Sequence, residues 1–233
     1  MKNINDIVVV INARLNSSRV KEKMIRNFAN TNLLELAIKK ILSSKLIPKK
    51  NFYVAVGEQK LIDIVKKYDI NIFNRTHKSC NSEGKDIRDL LEWCYDFSKK
   101  YKYYLWINPC QPFLSIKIIE DMITTFIKSN NKSMITTKKI KDYFWNSDKS
   151  LNKNNFQINN NLVFNTKFVK ETYQASHSMY IGLLEDLCKG IWLGTFKRDD
   201  PELFFVDEEE TLDIDYEWEF DMCEAYYKSK LII

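Results

Sequence analysis

Apolar and polar positions along the chain alternate in blocks that predict a repeating strand and helix order. Ile7 to Asn12 is a short run of β-branched residues without polar alternation, the pattern of a strand buried on both faces. The polar stretch from Arg14 to Lys23 reads as the loop into which that strand runs. Asn32, with Glu35 three positions on, marks a helix start, and Leu33, Leu36, Ala37, Lys40 and Ile41 continue it at helical spacing. Phe52 to Val56 predicts a strand, Lys60 to Tyr68 a helix and Ile70 to Phe73 a short strand. Asp86 to Lys99 then predicts one helix, Tyr103 to Ile107 a strand and Ile116 to Ile127 another helix. This alternation implies a three-layer α/β fold with a mainly parallel sheet and right-handed crossovers.

The second half breaks the rhythm. Six of the ten residues from 152 to 161 are Asn, which marks a loop or hairpin tip. Ser133 to Ile140 and Leu162 to Phe168 are expected to form antiparallel arms around it. Residues 136–176 thus read as an excursion from the sheet inside a single domain spanning 1–233. Met179 to Leu184 returns to the core and Leu203 to Val206 predicts a strand. Trp218 to Tyr227 predicts an amphipathic helix with Trp218, Met222, Ala225 and Tyr226 on one side.

The 233 residues are 45% hydrophobic and 29% charged, a globular balance, and no apolar run of about 18 residues is present to span a membrane. Ile7 to Ile11 is too short for a signal-peptide core, so a cytoplasmic protein is expected. The Cys residues at 80, 94, 110, 188 and 223 form no CxxC pair, which argues for free thiols over disulfides or structural zinc. With only 5 Gly, a glycine-dependent phosphate loop is not expected.

The net charge of +5 hides an asymmetry. Residues 199–233 carry 13 acidic and 2 basic side chains, leaving 34 basic and 18 acidic in residues 1–198. A basic body suggests an anionic ligand, and an acidic tail suggests a metal site or a solvated helix face. Nucleic acid is not the expected partner, because neither an RNP-like aromatic motif nor a Cys/His finger is present.

Two segments have candidate chemistry. Ala13 to Lys23 places Arg14, Arg19, Lys21 and Lys23 with Ser17 and Ser18 directly after the first buried strand. Ligands of open α/β sheets sit beyond the carboxyl ends of the strands, so this loop can offer guanidinium and ammonium groups to a polyphosphate, or be a solvated basic turn. In Leu212-Asp213-Ile214-Asp215, extended alternation puts both carboxylates on one face and Ile214 on the other. Two hard carboxylates suit Mg²⁺, and Asp215 also suits a helix N-cap.

These segments resemble the cytidylyltransferases that activate acidic sugars, the CMP-sialic, CMP-pseudaminic and CMP-legionaminic acid synthetases. The resemblance rests on Val10-Ile11-Asn12-Ala13-Arg14 with Ser17-Ser18-Arg19 and Lys23, and on Phe52 to Val56 leading to Ile72-Phe73-Asn74-Arg75. Ile107-Asn108-Pro109-Cys110-Gln111-Pro112-Phe113-Leu114 and Asp213-Ile214-Asp215 with Asp221, Glu224 and Ala225 complete it, collinear over nearly the whole chain. It implies transfer of a cytidylyl group from CTP to an acidic sugar with release of pyrophosphate, for surface glycan synthesis. Ala13, Arg14, Asn16, Ser17, Arg19, Lys23 and Asn108 would bind the nucleotide, and Arg75 and Gln111 the substrate. Asp213 and Asp215 would hold Mg²⁺, and Arg14, Lys23, Asp213 and Asp215 would carry catalysis. The resemblance also implies a homodimer built through the excursion.

The chain departs from the family at Asn16, Glu22 and Met24 in the first loop, which predicts a different backbone path there, and at Asn108 and Cys110-Gln111 after the fourth strand. A glycosyltransferase of similar topology would want an acidic metal motif where the chain reads Asn108-Pro109-Cys110. Acceptors such as Kdo or a non-sugar, and a nucleotide-binding homologue without turnover, are the alternatives. His177 reads as a hydrogen-bonded structural residue, and Cys110, without a neighbouring His in sequence, does not read as a nucleophile.

Overall fold

A computed structural model describes residues 2–82, 86–151, 157–158, 161–162, 165–195, 197 and 200–231. In chain order its elements are β1 (Ile7–Asn12), α1 (Leu33–Leu42), β2 (Phe52–Val56), α2 (Gln59–Val65), β3 (Asn71–Asn74), α3 (His77–Cys80), α4 (Ile87–Leu90), α5 (Cys94–Phe97), β4 (Tyr103–Ile107) and α6 (Ile116–Lys128). They continue with β5 (Met134–Ile140), β6 (Gln157–Ile158), β7 (Asn161–Leu162), β8 (Thr172–Leu183), α7 (Leu184–Cys188), β9 (Glu202–Phe205) and α8 (Glu217–Leu231). The seven-stranded sheet has the order β3-β2-β1-β4-β8-β5-β9, and within it β8 alone runs against the others. The expected α/β sheet, mainly parallel, is thus what the chain forms.

The burial of β1 shows why an unbroken apolar run was needed there. Ile7, Val9 and Ile11 face a core layer with α1, α6 and α8, while Val8 and Val10 face a second layer with Leu91, Trp93, Cys94, Phe97 and α7. All five are fully buried. Helix α1 begins as its sequence predicts, with the Asn32 side chain accepting the Glu35 N–H at 2.8 Å. The switch from β1 to β4 across the sheet centre puts the carboxyl ends of these two strands side by side, the place where open sheets bind ligands.

Three expectations are corrected. The single helix over Asp86 to Lys99 is two short helices, α4 and α5. Leu91 leaves helical geometry, and Cys94 N–H bonds the Leu91 carbonyl instead of that of Leu90. The freed Leu90 carbonyl accepts from Asn12 Nδ2 at 3.1 Å and Ser79 Oγ at 3.3 Å. Next, Ser133 to Ile140 does not pair with Leu162 to Phe168. Strand β5 lies inside the main sheet between β8 and β9, Leu162 belongs to the two-residue pair β6–β7, and Thr166–Phe168 forms a 3₁₀ turn. The sheet thus takes in the expected excursion up to Ile140 and from Thr172, and most of the Asn-rich tip at 152–161 lies outside the described residues. Lastly, α8 buries Phe220 and Cys223, while Trp218 and Met222 are 62% and 43% exposed. Apolar residues occur all round this helix, and the Phe28 ring, edge-on to Phe220 at 5.5 Å, selects the inward face.

Gly57, just after β2, sits where a Cβ would lie 2.5 Å from Cys80 Sγ and 2.8 Å from the Arg75 carbonyl oxygen. Gly57→Ala should therefore displace the 75–80 turn and lower stability by roughly 1–3 kcal/mol, read as a shift in urea midpoint. An unchanged midpoint would mean that the turn has slack this packing does not show.

Candidate active site

The loop after β1 is anchored before it turns polar. Ala13 N–H donates to the Ala55 carbonyl, and the Ala13 carbonyl accepts Arg75 Nη1 at 3.1 Å. Arg75 is 6% exposed, and its remaining donors go to Ser79 Oγ, the Ser79 carbonyl (2.6 Å) and the Leu90 carbonyl (3.4 Å). Burial lowers its pKa, against the upward pull of Cys80, Glu58 and Glu92. Arg75, expected to bind substrate, pins the first loop, α3 and the end of α4 to one another and also lines the cleft.

The cleft, of about 260 Å³, lies over the carboxyl ends of β1 and β4. Of the expected site residues, Ala13, Arg14, Ser17, Arg19, Lys23, Arg75, Asn108, Asp213 and Asp215 line it. Arg14 Nη1 donates to the Ser82 carbonyl at 2.8 Å, closing the loop over the α3 turn, and Leu15 N–H donates to Glu58 Oε1 at 2.9 Å. Asn16 does not line the cleft: its amide bonds Asn81 Oδ1 at the surface. Glu22 adopts the left-handed φ of 50° that a glycine would favour, at a strain of about 1 kcal/mol. Its carbonyl accepts the Ile25 and Arg26 N–H groups.

On the far wall the acidic segment meets the loop. Ile214 is fully buried, and Asp213 and Asp215 project to the opposite side, as alternation predicts, although no sheet partner pairs this extended stretch. Lys23 Nζ donates to the Ile214 carbonyl and lies 3.5 Å from Asp215 Oδ1, while Arg19 Nη2 is 2.7 Å from the same oxygen. Burial alone would lower the Lys23 pKa, but Cys110, Asp213 and Asp215 raise it overall, so it stays an ammonium. Among the described residues Asp215 accepts no N–H of α8 in an N-cap role; Glu219, in the first turn of α8, instead reaches back and accepts the N–H groups of Asp215 and Tyr216.

Asp213 Oδ2 accepts Asn108 Nδ2 at 2.9 Å, and Asn108 Oδ1 accepts the Cys110 N–H. Asp213 Oδ1 is buried without a hydrogen-bond partner. Burial raises the Asp213 pKa despite Lys23. An oriented, partly desolvated carboxylate with one vacant oxygen, beside a second carboxylate, fits a hard divalent cation whose remaining ligands are substrate phosphates and water. Gln111 is not at the cleft surface: it is 1% exposed, and its amide bonds the Ser176 carbonyl at 2.9 Å.

Sequence reasoning missed the carbonyls of Cys80, Ser82 and Leu90, which carry no side-chain signal. It also missed Glu58. Asn12, the polar residue that closes the apolar strand, accepts the Trp93 indole N–H on its Oδ1 at 2.9 Å. Cys110 is an inert thiol, pushed up to about 11 by burial. His177 stands exposed at φ 54° and bonds the Tyr180 hydroxyl.

A carboxyl raised by burial destabilises the fold at pH above its ordinary value, and the penalty fades as pH falls through the raised value. Asp213→Asn should therefore hold or raise the thermal midpoint at pH 7 without divalent cation, and should not show the further rise that is expected when Mg²⁺ is added to the wild type. A midpoint lowered by several degrees would make Asp213 a structural anion paired to Lys23.

Comparison with known proteins agrees with this geometry. The family model described as cytidylyltransferase matches residues 8–184. An uncharacterized protein of Methanocaldococcus jannaschii is 28% identical over 141 residues, 58% of this chain and 52% of that protein, so the match spans about half the length of that relative. Among solved structures, a CMP-2-keto-3-deoxy-manno-octonic acid synthetase complexed with CTP superposes with a TM-score of 0.68 at 11% identity, covering 97% of this chain and 99% of that one. A 4-diphosphocytidyl-2C-methyl-D-erythritol synthase from Anaerococcus prevotii gives 0.65 at 15% identity, covering 97% of each chain. A cytidylyltransferase from Leptospira borgpetersenii serovar Hardjo-bovis gives 0.59 at 14%, covering 94% and 85%. Since the family model takes in the first loop, Arg75, both central strands and the Asn108 turn, the chain belongs to the cytidylyltransferase family.

Proposed function

We propose that this protein transfers a cytidylyl group from CTP to the hydroxyl of an acidic sugar, a nonulosonic acid, releasing pyrophosphate. The observation that carries the reading is the meeting of Arg14, Arg19 and Lys23 with Asp213 and Asp215 over the carboxyl ends of β1 and β4. A triphosphate seated there has its β- and γ-phosphates within reach of the loop cations, and its α-phosphate faces the acidic wall. The sugar hydroxyl attacks the α-phosphorus and releases its proton to solvent, while the bond to the bridging oxygen breaks and pyrophosphate leaves. Arg14 and Lys23 neutralise charge growing on the leaving pyrophosphate, and Asn108 holds Asp213 in orientation. Mg²⁺ held by Asp213 and Asp215 would supply Lewis-acid polarisation of the α-phosphate. The acidic acceptor is supported by the excess of basic over acidic side chains in residues 1–198.

Exposed aromatic side chains at Trp145 and Phe168 in the excursion, with Tyr173 and Phe205 beside it in the sheet, support a homodimer through this face. Light scattering at micromolar concentration should give twice the monomer mass; the monomer mass would remove the dimer.

Mixing the protein with CTP, Mg²⁺ and a panel of acidic sugars should release pyrophosphate with at least one nonulosonic acid, and CTP should exceed UTP by about a hundredfold in kcat/KM. Release only with a sugar phosphate or Kdo would reassign the acceptor, and none with any acceptor would leave a binding homologue. Arg14→Ala should weaken CTP binding roughly 10- to 150-fold, as expected for a charge-assisted contact of about 1.5–3 kcal/mol. Unchanged isothermal titration would make this loop a solvated basic turn.

A further inference from the structure

Lys40, in the last turn of α1, does not line the cleft. Its ammonium reaches under the turn that follows β4 and donates to the carbonyl oxygens of Gln111 and Pro112, both at 3.3 Å. It forms no ion pair among the described residues. The carboxylate nearest in influence, Glu210, is already engaged with the N–H of Ser115 at 2.9 Å and with its hydroxyl at 3.0 Å. Lys40 is half-buried at the edge of a hollow, and its ammonium rests on carbonyls with no counter-ion in contact, so it gives up part of its hydration without an ion pair to offset the loss. Burial accordingly pulls the Lys40 pKa down to about 8 against the upward pull of Glu210. A methionine would fill the same space without that cost, so the charge needs a reason other than stability.

The clamped segment supplies one. Asn108 orients Asp213, and the Cys110 carbonyl accepts the Ile214 N–H at 3.2 Å. Asn108 and Cys110 therefore hold Asp213 and Ile214 from one side, while Lys40 grips the carbonyls of Gln111 and Pro112 that follow them.

We infer that Lys40 is a positioning residue for nucleotidyl transfer, its ammonium clamping the turn after β4 so that Asn108 and Cys110 hold Asp213 and Asp215 in register with metal and triphosphate. The inference rests on the function proposed above, and its test separates the two. With the wild type, pyrophosphate release from CTP reports on the function, and titration of Mn²⁺ alone, followed by its electron spin resonance, reports on the Asp213–Asp215 stretch whatever the acceptor.

Lys40→Met should keep or raise the thermal midpoint by roughly 2–4 °C below pH 8. It should nevertheless bind Mn²⁺ at least about 5-fold more weakly and lower kcat roughly 10- to 100-fold, with KM for CTP changed far less, because the loop after β1 is untouched. Lys40→Arg should recover most of both losses, and Lys230→Met, in the same hollow, should change neither. The alkaline limb of the wild-type kcat profile should begin near pH 8 and be absent from Lys40→Arg. Lys39 of α1, Lys230 of α8 and Asp207, Glu209 and Glu210 of the intervening turn face this hollow as well, and the Arg variant assigns the limb to Lys40 rather than to them. Wild-type Mn²⁺ affinity in Lys40→Met, or a loss of fold or a fall in midpoint parallel to the loss of activity, overturns the positioning role. Mn²⁺ effects as expected in a protein that releases no pyrophosphate would overturn the function and leave the clamp standing.

Discussion

The site exists because a basic loop near one end of the chain is stitched to an acidic segment almost 200 residues later. Lys23 holds the Ile214 carbonyl, Arg19 meets Asp215, and Arg26 meets Glu217 and lies over the Phe220 ring. Arg19 is 51% exposed along its side chain, so that ion pair alone adds little stability. The apolar contacts beneath it carry the seam: Ile214 and Phe220 are buried with Phe28, which also packs on Tyr227 at 5.5 Å. The turn that presents Phe28 has both central residues, Ala29 and Asn30, at left-handed φ, and Glu224 accepts the Ala29 N–H at 2.8 Å. Charge sets which segments face each other, and burial holds them there.

Much of this was legible in the sequence because it is local. The unbroken apolar run of β1, the Asn32 cap and the apolar stripe of α6 each state their structure within a dozen residues. Order along the chain then fixed the sheet as far as β4, since successive strand–helix units have few ways to wind. The division of charge between residues 1–198 and 199–233 pointed to an anionic ligand and to a metal site or solvated helix face.

What failed to show depends on partners distant in sequence. Whether Asp86 to Lys99 is one helix is decided by Asn12 and Ser79, which bond the Leu90 carbonyl that the break releases. The pairing of β5 with β8 rather than with Leu162 to Phe168 skips some thirty residues, a long-range contact that no local pattern encodes. Helix α8 carries apolar residues on opposite faces, and the choice of Phe220 over Trp218 is made by Phe28. Arg75 fitted the position of a ligand-binding arginine by its place after β3. Its burial follows from the close approach of α3 and α4, which offers more carbonyls than the sequence reveals.

The same accounting explains how a loop without glycine can serve the proposed phosphate site. Glycine-rich loops present backbone N–H groups to the ligand, and here the backbone faces inward: Ala13 N–H is bound to Ala55 and Leu15 N–H to Glu58. The positive charge that the cleft offers must then come from side chains, and Arg14, Arg19 and Lys23 supply it. Side chains are free to move where a backbone cradle is not, so each needs an anchor when no anion is bound. Arg14 rests on the Ser82 carbonyl, Lys23 on that of Ile214 and Arg19 on Asp215. Such anchors are exchangeable. On the proposed function, a triphosphate would take the place of these anchors on the three cations.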